Sequence, residues 1–165
     1  MDGQTLNLGN LLLSGGSWHN IPGHDPGSFI TAALAAMSEP GWPDRRSLAA
    51  TMLAREATAA TAVGGGIAFP HTLADHEASD LEPFVAVAYP RFRVPWSAPD
   101  GLPVYAAFLI WCTDRHDHLR ILSSLARLCA NPAFRSALAD EADIQRLAGF
   151  MGPAGTIGSD PSAIL

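Results

Sequence analysis

His71 closes the run Gly64-Gly65-Gly66-Ile67-Ala68-Phe69-Pro70-His71, in which three glycines and a proline oppose a helix and a short strand carries the histidine to the rim of a sheet. A neutral imidazole is a competent nucleophile toward phosphorus when one ring nitrogen is kept unprotonated by a hydrogen bond at the other. Glycine-rich backbone also allows successive N–H groups to form an anion-binding hollow. His118 stands at the expected start of a helix, where the exposed N–H groups and the dipole favour an anion. Arg55, in the last turn of an earlier expected helix, carries a planar guanidinium that can grip phosphate oxygens in pairs. Together these groups have the makings of a phosphoryl site. Each also has a plainer use: a histidine after a glycine turn can be structural, His118 can be a solvated helix-start residue, and Arg55 can answer a helix C-terminus.

A metal site is the competing chemistry. His116-x-His118 with His71 offers three imidazoles to zinc, with Asp75, Asp114 or Asp117 to complete or orient them, although the spacing is not diagnostic.

The elements that must position these residues follow from pattern and punctuation. The apolar patch Leu6 to Leu13 is read as a first strand, followed by a loop from Ser14 to Gly27 rich in Gly, Ser, His and Pro. Phe29 to Met37 and Arg46 to Ala57 carry alanine, leucine and methionine at helical spacing, with Gly41-Trp42-Pro43 between them. Phe84 to Tyr89 and Val104 to Trp111 are near-continuous apolar runs suited to strands covered on both faces, and Asp100-Gly101 supplies a turn before the second. His118 to Ala130 places Leu119, Leu122, Leu125, Ala126 and Cys129 on one apolar face, with Thr113, Asp114 and Asp117 as candidate caps. Asn131-Pro132 restarts a helix, which Ala133 to Ala139 and Ile144 to Phe150 complete. Strand, helices, strands, helices argue an α/β domain of three layers. The helix-free connection between Phe84–Tyr89 and Val104–Trp111 argues against a purely parallel sheet.

At 165 residues, 48% of them apolar, the chain can bury one core, and one domain is expected over residues 1–150 with a loosely ordered tail over 151–165. A net charge of −6 leaves no basic surface for nucleic acid. The polar start, Met1-Asp2-Gly3-Gln4, lacks the pattern of a secretory signal, so a cytosolic chain is expected. The longest apolar run, Leu102 to Cys112, is shorter than the roughly 20 residues of a membrane span, so no membrane insertion is expected. Cys112 and Cys129 read as buried free thiols rather than a disulfide or zinc framework.

Leu53-Ala54-Arg55-Glu56-Ala57, followed by Thr61-Ala62-Val63-Gly64-Gly65-Gly66-Ile67-Ala68-Phe69-Pro70-His71, resembles the signature of the type-2 IIA domains of bacterial phosphoenolpyruvate-dependent phosphotransferase systems, the fructose, mannitol and nitrogen-regulatory group. Asp100-Gly101-Leu102-Pro103-Val104 resembles that family's strand entry. Asp117-His118-Leu119 with Leu125-Ala126-Arg127-Leu128 and Pro132-Ala133-Phe134-Arg135 resembles its helix bearing a second histidine. The resemblance spans about residues 5–150. It implies an α/β/α sandwich on a mixed sheet with the active histidine at the sheet's edge. His71 would accept a phosphoryl group from the phosphocarrier HPr or its nitrogen-branch counterpart and pass it to a IIB component, or hold it as a regulatory signal. His118 and Arg55 would stabilise that group, Thr61, Gly64 and Gly66 would contact phosphate, and neither cofactor nor metal is called for. Ala60, Ala62 and Gly65 depart from the family's usual serine, glycine and asparagine, which tilts the reading from sugar uptake toward regulation. His116 is a rival for the second-histidine role.

Overall fold

The computed structural model describes residues 6–37, 44–73 and 82–152. The apolar patch at the start is a helix, α1 (Leu8–Gly15), and not the expected strand. Leu8, Leu11 and Leu12 are its buried leucines, spaced i, i+3, i+4, while Asn7 caps its first turn by accepting the Asn10 N–H at 3.1 Å. The adjacent run Leu11-Leu12-Leu13 masks that period in the sequence. The first strand, β1 (Ser17–Ile21), lies inside the segment expected to be a loop.

Two helices follow, α2 (Pro26–Ala36) and α3 (Arg45–Thr58), near their expected positions. Asp25 and Ser28 form a capping box with Pro26 in the first turn of α2, and Asp44 caps α3 by accepting the Ser47 N–H at 2.9 Å. The expected separator Gly41-Trp42-Pro43 lies outside the described residues.

Strands β2 (Ala62–Gly64) and β3 (Ile67–Ala68) pair antiparallel around the glycine turn. Gly64, Gly65 and Gly66 have φ of 97°, 64° and 77°, a left-handed run that only glycine sustains without strain. After Phe69-Pro70 comes β4 (His71–Leu73), then β5 (Phe84–Pro90) and β6 (Ala106–Cys112). The chain ends in α4 (Arg115–Cys129), α5 (Pro132–Ala139) and α6 (Ile144–Ala148). Asp114 is the cap of α4, so the helix starts earlier than expected and His118 sits one turn inside it.

The six strands form one mixed sheet of order β1-β5-β6-β3-β2, with β4 also on β6. β5 and β6 are antiparallel, whereas β1 runs parallel to β5, and β3 and β4 run parallel to β6. Every residue of β5 and β6 is buried, and alternate side chains serve opposite cores. Val85, Val87, Phe108 and Ile110 join α1, α4, α5 and α6 on one face. Phe84, Ala86, Leu109 and Trp111 join α2 and α3 on the other. This is the expected α/β/α sandwich. Among the described residues no helix is long and apolar enough to cross a membrane. Met151 still packs against the first core, and residues beyond 152, with most of the expected tail, lie outside the described part.

Candidate functional site

β3 and β4 both pair with β6, β3 at Ala106–Ala107 and β4 at Ile110–Cys112, with Phe69-Pro70 carrying the chain from one to the other. The Ile110 N–H donates to the Pro70 carbonyl at 2.9 Å, which holds the backbone just before His71 to the sheet. His71 is thus the first residue of β4, partly buried, at the edge of the described sheet.

Two neighbours determine its protonation. The Phe69 carbonyl lies 2.7 Å from Nδ1, and a carbonyl only accepts, so Nδ1 carries the proton. On the other side Arg55 Nε, which only donates, lies 3.1 Å from Nε2. Both contacts require the same neutral tautomer, with the Nε2 lone pair turned toward the arginine. Burial is the main cause that holds the His71 pKa below the ordinary imidazole value, and the Arg55 charge acts in the same direction against the Phe69 hydrogen bond and Glu56.

Arg55 reaches His71 from the last turn of α3 and is anchored there by a second donation, Nη1 to the Ala59 carbonyl at 2.9 Å. The next residue, Glu56, fixes that helix end. Its carboxylate accepts the Thr61 N–H at 3.1 Å, the Thr61 hydroxyl, and the Trp96 indole N–H at 2.7 Å.

His118 is buried, and its ring centroid lies 4.9 Å from that of His71. Its Nδ1 is buried without a hydrogen-bond partner among the described residues. Burial first, then the neighbouring His71 and Arg55, lower its pKa as well. His118 is therefore not the solvated helix-start residue of the plainer reading.

His71, His118, Arg55, Thr72, Arg115 and Leu119 line a shallow depression of about 410 Å³. Sequence reasoning singled out the first three of these and missed the others. A signal for Arg115 existed: a cation in the first turn of a helix, where the dipole disfavours it.

Thr61, Gly64 and Gly66 are not brought to this depression. Thr61 spends both its donors on Glu56. The hollow over the glycines is filled by the chain's own anion, the Asp100 carboxylate, which accepts the Gly65 N–H at 2.7 Å and the Leu102 N–H at 3.1 Å. Gly64 and Gly65 line a different cavity, of about 500 Å³, with Asp100, Cys129 and Arg135.

The three imidazoles of the metal reading do not converge. His116 and His118 are two apart on α4, which turns them to different faces, and the exposed His116 instead meets Asp117 at 4.0 Å. The ligand atoms of Asp114, His116 and Asp117 do lie within 4.8 Å of one another, on the surface, but Asp114 is already the cap of α4 and Asp117 also meets Arg120 at 3.7 Å. Asp75 lies outside the described residues. His118, and not His116, is the histidine beside His71.

The fold has solved counterparts. The fold matches the nitrogen regulatory protein IIA-Ntr of Neisseria meningitidis with a TM-score of 0.71, at 23% identity over 86% of this chain and 96% of that one. It also matches enzyme IIA-mannitol of Escherichia coli, solved in complex with phosphorylated enzyme IIB-mannitol, with a TM-score of 0.63, at 19% identity over 88% and 97% of the two chains. The domain has the IIA fold. The family model described as phosphoenolpyruvate-dependent sugar phosphotransferase system, EIIA 2, matches residues 27–150, and the chain belongs to that family. A curated relative, the fructose-specific EIIABC component of Bacillus subtilis (strain 168), is 29% identical over 122 residues, covering 72% of this chain. The chain spans only 19% of that relative's length.

Proposed function

We propose that this chain is a phosphoryl carrier of a phosphotransferase system, loaded on His71 Nε2 by a phosphorylated HPr-like protein and unloaded to a cysteine of a IIB component. The observation that carries the reading is the paired constraint on His71: Phe69 keeps the proton on Nδ1 at 2.7 Å and Arg55 donates to Nε2 at 3.1 Å, which leaves Nε2 the unprotonated, nucleophilic nitrogen in the depression.

In the step proposed, the Nε2 lone pair attacks phosphorus while the bond from phosphorus to the donor's nitrogen breaks. That bond's electron pair returns to the donor. The PO₃⁻ unit moves, the Nδ1 proton stays on the ring, and no metal is needed. Arg55 occupies Nε2 at 3.1 Å before loading, so it must exchange that hydrogen bond for one to a phosphoryl oxygen as the new bond forms. The guanidinium thereby keeps an anion-sized place filled and then binds the charge that arrives. His118, neutral and adjacent, has a ring nitrogen available as a donor to the same group. Unloading reverses these movements with a thiolate as acceptor.

Ala60, whose missing hydroxyl favoured a regulatory reading, lines a separate groove with Trp96 and Ser97, and Gly65 belongs to the cavity beyond the glycine turn. Neither touches the depression, so transfer to a IIB component is the use favoured. The complex of IIA-mannitol with phosphorylated IIB-mannitol is the kind of partnership expected. Residues 1–150 act as the carrier domain in the cytosol. Incubation with phosphorylated HPr should place an acid-labile, base-stable phosphate on the chain, and His71→Ala should abolish it. Labelling that survives in that variant sinks the assignment.

A further inference from the structure

The depression holds a second arginine besides Arg55. Arg115 is the first residue of α4 and stands exposed in its lining. The position is electrostatically costly, because the N-terminal turn of a helix repels a cation. The neighbouring acids do not relieve it: Asp114 accepts the Asp117 N–H at 2.9 Å as the helix cap, and Asp117 meets Arg120 at 3.7 Å and His116 at 4.0 Å. Among the described residues Arg115 has neither an ion pair nor a side-chain hydrogen bond, and the lining of the depression includes no carboxylate. In a chain of net charge −6, a depression whose described lining has two arginines, two histidines and no carboxylate is a local reversal of sign. Such a patch suits a small anion.

We propose that Arg115 is a second cation of the phosphoryl site, binding non-bridging oxygens of the group on His71 together with Arg55 and the neutral His118. This rests on the carrier reading above and adds a residue to it. A phosphoryl group on imidazole offers three acceptor oxygens with up to two negative charges, more than one guanidinium fork satisfies. Arg55 comes from the C-terminal end of α3 and Arg115 from the N-terminal end of α4, so the two forks approach from separate elements. Arg115 forms no bond to phosphorus and moves no proton. Its charge lowers the cost of bringing the dianionic group into the depression, and the α4 N-terminus becomes favourable once the anion is present.

The test uses phosphoramidate, a small phosphoryl donor without a protein surface, on the wild-type chain, Arg115→Gln and Arg115→Lys. Arg115→Gln is expected to load His71 about tenfold more slowly, a loss suited to an exposed charge-assisted contact. Arg115→Lys should stay within about threefold of wild type, because it keeps the charge and loses only the fork. Equal loading of wild type and Arg115→Gln overturns the proposal. So does a defect seen with phosphorylated HPr but not with phosphoramidate, which would make Arg115 a protein-docking cation. In parallel, inorganic phosphate is titrated into the unphosphorylated chains and followed by the imidazole NMR signals of His71 and His118. Arg115→Gln should weaken that binding about tenfold, and unchanged affinity overturns the proposal. If wild type takes no phosphoryl group on His71, the carrier reading fails by itself, and the phosphate titration still decides whether Arg115 binds an anion there.

Discussion

His71 owes its chemistry to two atoms that cannot change roles, a carbonyl that only accepts and an arginine Nε that only donates. Both select the tautomer with its proton on Nδ1, and burial lowers the ring's pKa and that of His118 below the ordinary value of 6.5. The consequence for pH is definite in sign. Loading of His71 should continue as pH falls through 6.5 and fail only at lower pH, when Nε2 takes a proton; imidazole ¹⁵N shifts across the same range would check it. Stability follows the same shift. The unfolded chain takes up protons first, near pH 6.5, so stability declines as pH falls from there and levels off only below the folded pKa values. His118→Gln should flatten part of that decline in urea unfolding measured from about pH 7.5 to pH 5. The departures at Gly65 and Ala62 look mild in this light. Gly65 has φ of 64°, the region that asparagine also tolerates better than most residues, and Ala62 simply pairs with Ala68 in the β2–β3 ladder.

The end of α3 is where an element becomes part of the site. Arg55 can meet His71 only if the last turn of α3 is held against the strands, and Glu56 does this through Thr61 and Trp96. Removing the carboxylate leaves the Thr61 and Trp96 donors unpaired in partly buried surroundings. Glu56→Ala is expected to lose about 2 kcal/mol of stability by urea unfolding and to slow phosphoryl transfer while His71 still labels. Transfer at the wild-type rate would show that Arg55 is held without it. At the other end of the fold, α1 lies so close to β5 that a Cβ on Gly15 would clash with the Val85 carbonyl oxygen. Backbone cannot yield as a flexible side chain does. Gly15→Ala should therefore cost about 3 kcal/mol, read as a lower denaturant midpoint, with the His71 site itself chemically unaltered.

The sheet ties these parts into one body, because β5 and β6 are buried on both faces and each helix layer covers one of them. Residues 27–150 match the family model, yet α1 and β1 come before that stretch and complete the sheet edge and the first core. A chain lacking residues 1–26 would uncover the edge of β5 and the core facing Leu8, Leu11 and Leu12. It is expected to aggregate or lose its cooperative unfolding transition, as judged by size-exclusion chromatography and circular dichroism; a monomer with a wild-type midpoint would contradict this.

Most helices were legible because caps and periodicity are local, as at Asn131-Pro132, but the Asp25-Pro26 start of α2 was hidden in the expected loop, and α4 buries His118, Ile121, Leu125 and Leu128 while Leu119 and Ala126 of the expected face are exposed. The runs over β5 and β6 were legible for the same reason, as unbroken apolar segments can only lie between two layers. Local pattern failed at Leu6 to Leu13, where consecutive leucines suit either period and the choice fell to packing on β5. It failed again at Ser17–Ile21, whose only claim to be a strand is its parallel partner β5. By itself the sequence determined the family signature, the sandwich and the candidacy of His71, His118 and Arg55. Tertiary structure alone decided that these three meet, that Asp100 fills the glycine hollow, and that Arg115 joins the depression. Such meetings depend on how α3, β4 and α4 dock on one sheet, and no short stretch of sequence encodes a distance between elements so far apart along the chain.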